Sequence, residues 1–312
     1  MICQTLKKYC FFSSILLLSF QCENKKTPKE NTPNQNEVAL ISEGKTPFNA
    51  GIDKGILQNE AITEASGLAA SRQNKGLFWT HNDSKDANRL FLFDEKGLDK
   101  GTFYVEKATN RDWEDLEMVT INNTPYMYVA DIGDNDGEHN KKYIYRIKEP
   151  KITPSNKPIT DTLRGTETIV VTYPDAKRNA EALMIDQKTF DMYIVSKFED
   201  NVVVYQVPYP QSTTQINVAK PVATLPITFV TAATISLDNQ EILIKNIDNV
   251  YYWKRKKDES IVAALKRPAT ILPYVKEPQG EAIAFAVDGS GYFTVSEIKK
   301  KVKPHLYFYK RN

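Results

Sequence analysis

The chain has 312 residues, room for one large or two medium domains at ~100–200 residues each. Its 41% hydrophobic and 26% charged residues exclude a wholly disordered or fibrous chain, and an aromatic share of 11%, with 16 Tyr and 14 Phe, leans toward β-structure. Basic residues outnumber acidic ones by 41 to 39; Lys7 and Lys8 carry that excess in a leading segment without acids, so the remainder is neutral, which argues against nucleic-acid binding.

Lys7 and Lys8 precede an apolar run from Phe11 to Phe20. That run is too short for the ~20 residues that span a bilayer and has the length of a signal-peptide core. Cys22 follows at once. The arrangement resembles a bacterial lipoprotein signal. The resemblance implies that residues 1–21 are removed, that Cys22 carries lipid, and that the chain is held to a membrane of the cell envelope, on its periplasmic or outer surface. Gln21 departs from the Gly or Ala such signals carry before the cysteine. The alternative is an ordinary signal peptide with an incidental Cys22, although Gln21 also breaks its small-residue cleavage rule. Residues 22–37 then form a disordered tether, since Glu23 to Asn36 offers no apolar residue besides proline to offset chain entropy. Cys3, Cys10 and Cys22 are the only cysteines, so residues 38–312 have neither a disulfide nor a Cys metal site.

From residue 38 onward the chain repeats. Each unit opens with a small or acidic residue and an apolar segment, at Ser66-Gly67-Leu68, Glu114-Asp115-Leu116, Glu181-Ala182-Leu183, Ala233-Thr234-Ile235 and Glu281-Ala282-Ile283. The openings lie 48, 67, 52 and 48 residues apart, against ~40–50 for a four-stranded propeller blade. A second strand follows in each unit, such as Tyr126-Met127-Tyr128-Val129-Ala130, and then an aromatic third, such as Leu90-Phe91-Leu92-Phe93. Thr102 to Val105, Thr168 to Val171 and Val222 to Leu225 read as fourth strands. No segment of helical length has a 3.6-residue period. The fold class is therefore all-β, a propeller of five four-stranded blades. A sixth blade would need a whole unit hidden in the 67-residue spacing or in residues 38–65. The last unit ends at its third strand, Leu306 to Tyr309, so a strand from Val38–Ile62 must close the ring.

In a propeller the innermost strands start, and the second strands end, on one face. Those places carry Glu114, Glu181 and Glu281, and Asp83, Asp131 and Glu297, with Asn82, Lys197 and Lys245 beside them. The six carboxylates are candidate metal ligands, and Asn82, Lys197 and Lys245 are candidate ligand-binding residues. Hard oxygen donors without Cys or clustered His favour Ca²⁺ or Mg²⁺ over zinc, and Ca²⁺ is the expected cofactor.

The segments Glu64-Ala65-Ser66-Gly67-Leu68-Ala69-Ala70-Ser71, Trp79-Thr80-His81-Asn82-Asp83-Ser84, Asp112-Trp113-Glu114-Asp115-Leu116, Asp131-Ile132-Gly133-Asp134-Asn135, Asn179-Ala180-Glu181-Ala182-Leu183 and Pro278-Gln279-Gly280-Glu281-Ala282 resemble a family of bacterial secreted β-propeller lipoproteins. That family is distantly similar to SdiA-regulated and phytase-like propellers. The resemblance covers roughly residues 60–300 and implies no particular activity. Related copies often carry Asp where this chain has Thr234, which implies one ligand fewer here. The calcium sites of phytase-like relatives are implied only as a type of site, without a full copy of their phosphate-binding residues.

Other chemistry is scarce. His81, His139 and His305 are too dispersed for a metal pair, and no Gly-x-Ser-x-Gly elbow or phosphate-binding loop occurs. His81 reads as a structural histidine, with a general base as the alternative, and Asp134-Asn135-Asp136-Gly137 reads as a turn. The expectation is a lipid-anchored propeller that binds a ligand or protein partner at its acidic mouth with a structural divalent cation. The alternative is a metal-dependent hydrolase of phosphate esters or lactones.

Overall fold

The alternating segments form strands, and most strands pair with the next in sequence, so the chain lays down each blade from the inside outward. The computed structural model describes residues 46–299 and 301–312. Residues 1–21 and 22–37, read above as signal segment and tether, and Cys22 with them, lie outside the described residues. The first strand, β1 (Ile52–Ile56), precedes blade one, formed by β2 (Ala65–Ala70), β3 (Leu77–Asn82), β4 (Arg89–Asp94) and β5 (Asp99–Val105). Blade two holds β6 (Trp113–Ile121), β7 (Thr124–Asp131) and β8 (Lys142–Lys148); the chain then makes β9 (Ile159–Leu163) and returns as the blade's outer strand β10 (Glu167–Thr172). Blade three is β11 (Ala180–Ile185), β12 (Met192–Ser196), β13 (Val202–Val207) and, after β14 (Asn217–Val218), β15 (Lys220–Leu225). Blade four is β16 (Val230–Ile235), β17 (Glu241–Asn246), β18 (Val250–Lys254) and, after the helix α1 (Ile261–Leu265), β19 (Thr270–Leu272). Blade five is β20 (Gly280–Phe285), β21 (Gly291–Ser296) and β22 (His305–Lys310).

Blade five takes its outer strand from the front of the chain. β1 pairs antiparallel with β22, Ile52 opposite Phe308 and Ile56 opposite His305, and Phe48 bridges to Arg311. The closing strand thus falls inside the stretch the repeat required. Five hydrophobic clusters fill the five seams between neighbouring blades, from Trp79 and Trp113 between blades one and two to Leu243 and Ile283 between blades four and five.

The 67-residue spacing does not hide a blade. Its extra length runs out from β8 to lay β9 parallel on β5, Gly101 opposite Ile159, covering the edge of blade one. β14 does the same for β10, and α1, capped by Ser260 on the Ala263 amide, buries Ile261, Ala264 and Leu265 in the seam between blades three and four. Four innermost strands, β2, β11, β16 and β20, are buried at every position; β2 and β16 are built largely of Ala, Gly, Thr and Ser, and β11 and β20 carry more large residues. No helix of the described residues is long and apolar enough to cross a membrane.

Candidate functional site

Every innermost strand breaks register at its mouth end. The shifts fall between Ser66 and Leu68, Trp113 and Asp115, Ala180 and Ala182, Val230 and Ala232, and Gly280 and Ala282. The extra residues are therefore Gly67, Glu114, Glu181, Thr231 and Glu281. A bulge re-aims a side chain, and here it supplies carboxylates from blades two, three and five. Blade four aligns on Thr231, three residues before the Thr234 chosen from sequence. Thr234 lies instead toward the other end of the axis, hydrogen-bonded to Glu117.

Two groups of carboxylates converge, Asp83 with Asp112 and Glu114, and Asp83 with Glu281 and Glu297, each with oxygens within 4.8 Å of one another. Glu114, Glu181, Glu281 and Glu297 are buried, at 2%, 2%, 4% and 7% exposure. The Glu114 carbonyl accepts the Ser66 hydroxyl at 2.8 Å, its carboxylate takes no hydrogen bond among the described residues, and Asp83 Oδ1 is buried without a donor. Gly133 makes room for the first group. A Cβ there would press on Glu114 Oε1 and Asp112 Oδ2 and force both carboxylates to shift.

Burial and mutual repulsion set the protonation of these groups. Burial, then Asp112, Glu181 and Glu281, push Asp83 up to about 8. Burial and Glu281 push Glu297 up to about 10. Burial raises Glu181 to about 7 although Lys197 draws it down, and burial with Glu181, Asp83 and Asp112 holds Glu114 well above the carboxylate range. Lys197 donates to Glu181 Oε1, and Glu181 and Glu281 raise its pKa against the effect of burial.

The remaining sequence candidates have other partners. Asp131 lies behind the cluster, where Oδ1 takes the Asp112 amide at 3.2 Å and Arg111 at 3.4 Å, and burial lifts it to about 6. The Asn82 amide faces the chain: Oδ1 accepts from Thr63 and Glu64, and Nδ2 donates to Ala61 and Asp86. Lys245 is fully buried and donates to the carbonyls of Gly280 and Asn246, beside Glu277 and Tyr274. Asn82 stays outside the acidic cluster, and Lys245 touches it through the charge of Glu281 alone. His81 is sealed over Gly67 and against Trp113, with Nδ1 donating to the Asn82 carbonyl, and burial lowers it to about 4, as a structural histidine requires. Asp134 accepts the amides of Gly137, Glu138 and His139, closing the expected turn.

Three acids were missing from the sequence candidates. Asp112 stands two residues before the bulge, a place occupied by Asn179 and Gln279 in blades three and five, and that repeat was the signal for it. Asp115, fully buried on the axis, accepts the amides of Leu116, Leu183 and Ala233 and so ties together the innermost strands of blades two, three and four. Glu117 and Arg72 occupy the far end with Thr234, around a cavity of about 20 Å³, room for one water.

No family model and no curated protein matches this chain. Among solved structures it is similar to a luciferin-regenerating enzyme, with a TM-score of 0.43 and 10% identity over 80% of this chain and 92% of that one. Nothing below rests on that likeness. The propeller stands on the strand pairing itself.

Proposed function

We propose that the chain is a lipid-anchored propeller of the cell envelope, tethered through Cys22, whose mouth holds a divalent cation, calcium, and through it a ligand or partner. The observation that carries this reading is the convergence of Asp83, Asp112, Glu114, Glu281 and Glu297, with Oδ1 of Asp83, the residue shared by both groups, buried without a donor. Two ionised carboxylates ~5 Å apart repel by ~3 kcal/mol at an effective dielectric of ~20. A buried group of this kind needs protons or a cation, and hard oxygen donors suit Ca²⁺. Asp83, common to both groups, would ligate from the centre, with Glu181 turned toward Lys197. A crystal soaked in CaCl₂ tests the reading: density between Asp83, Glu114 and Glu281 is expected, and an unoccupied mouth at millimolar Ca²⁺ contradicts it. For the anchor, palmitate labelling is expected in the full chain and absent in Cys22→Ser; labelling that survives the substitution removes that part.

A second reading, hydrolysis of a phosphate ester or lactone, is favoured by one observation. Glu181 and Asp83, raised to about 7 and about 8, have the proton affinities of a general acid or base at neutral pH. Turnover of phosphomonoesters or lactones that depends on Ca²⁺ and disappears in Glu181→Gln would establish it.

A further inference from the structure

The mouth carries two exposed aromatic residues between blades three and four. At the place two residues before the bulge, where blades two, three and five carry Asp112, Asn179 and Gln279, blade four carries Phe229. Its amide donates to the Lys197 carbonyl at 2.7 Å, and its ring meets Phe198 edge to face at 5.8 Å. Phe198 in turn lies 5.3 Å from the Lys197 ammonium that binds Glu181. The two rings are 46% and 51% exposed. Phe229 also holds a left-handed backbone, φ 53°, which is uncommon and strained for a bulky residue. An exposed ring in a strained backbone gains little for the fold from burial. Its place beside the carboxylates points to a ligand.

We propose that Phe198 and Phe229 form the wall that receives the ring-sized apolar body of a small organic acid or ester whose oxygen faces the cation at Asp83 and Glu114. This rests on the cation reading above. Two aromatic rings at half exposure offer roughly 200 Å² together, far below the ~800 Å² per partner of a stable protein interface. Charged residues flank Phe198 in the chain, Lys197 before it and Glu199, held by Arg178 at 2.7 Å, after it. The occupant is therefore a small molecule with one apolar ring, and a many-charged substrate such as an inositol polyphosphate does not suit this wall.

The test compares phenylacetate with acetate by calorimetry on the Ca²⁺-loaded protein. Phenylacetate is expected to bind at least tenfold more tightly, and Phe198→Ala/Phe229→Ala is expected to erase that preference with its Ca²⁺ affinity unchanged. Equal affinity for the two probes, or a preference kept by the double variant, overturns the proposal and leaves the cation reading standing. Absence of Ca²⁺ binding in the unaltered protein removes both. Phe229→Asn, which suits the left-handed backbone, is expected to melt no lower than the parent; a fall of several degrees would make Phe229 a packing residue and also overturn the proposal.

Discussion

Glu277 and Glu114 are equally sealed, at 3% and 2% exposure, yet their surroundings differ in kind. Glu277, entering from the connection before β20, accepts the Tyr274 hydroxyl at 2.9 Å and faces Lys245 across Gly280. Burial lifts it to about 7 while Lys245 draws it down, and burial lowers Lys245 to about 8 while Glu277 supports its charge. The blade-four sector thus carries its own counter-charge. Around Glu114, burial and three neighbouring carboxylates all act in one direction, with Lys197 alone opposing them at a distance. Burial of an acid marks structure as often as function; a buried acid without a built-in partner is what marks the mouth.

Opposite signs of response sharpen that contrast. Lys245→Met leaves Glu277 without its counter-charge, so it is expected to cost about 3 kcal/mol and to lower the melting temperature by roughly 6–10 °C; calorimetry checks it, and an unchanged melting point would mean Lys245 does not support Glu277. Glu114→Gln removes a carboxyl whose ionisation the fold opposes and which must take up a proton on folding. It is expected to stabilise the cation-free protein by about 2 kcal/mol at neutral pH, and urea unfolding reads the gain.

The pH dependence follows from the same groups. Glu181 at about 7, Asp83 at about 8 and Glu297 at about 10 all lie above their unfolded values near 4. The folded protein therefore binds protons that the unfolded chain has released. Their stabilising effect is full below about pH 4 and is lost as the pH rises through those values. Lys245, lowered to about 8, contributes with the opposite sign above that pH. The urea midpoint of the cation-free protein should accordingly fall between about pH 5 and pH 8, with Glu277 contributing to the slope, and Ca²⁺ should flatten it; a slope indifferent to Ca²⁺ would locate its cause outside the mouth. The smallest effect is expected on the rim, where Lys276 meets Asp248 at 2.8 Å with both side chains largely exposed. Lys276→Ala should change stability by less than about 0.5 kcal/mol, and a larger loss would show that exposed pairs matter here as much as buried ones.

Blade number and ring closure were legible because the aromatic third strands and the acidic strand openings recur at blade spacing. Blade four was misaligned for a local reason: Val230-Thr231-Ala232-Ala233-Thr234 holds two threonines three residues apart, and only strand pairing tells which one occupies the bulge. Asp115 and Glu117 went unread because polar residues alternating with apolar ones look alike whether they face water or the axis. Lys197 and Lys245 also look equivalent in sequence, each ending or following a second strand. What separates them is Glu277, 32 residues beyond Lys245, which only the fold brings alongside.

The central claim is that the mouth is built for a cation, and Ca²⁺-dependent melting of the protein against Glu114→Gln tests it most directly. If Ca²⁺ binds the folded form alone, a hundredfold excess over Kd stabilises it by ~2.7 kcal/mol, a rise of roughly 5–10 °C for a domain of this size. The account predicts that rise in the parent and its loss in Glu114→Gln, with the variant already melting higher than the parent when no cation is present. An equal rise in both proteins, or none in the parent, would contradict it.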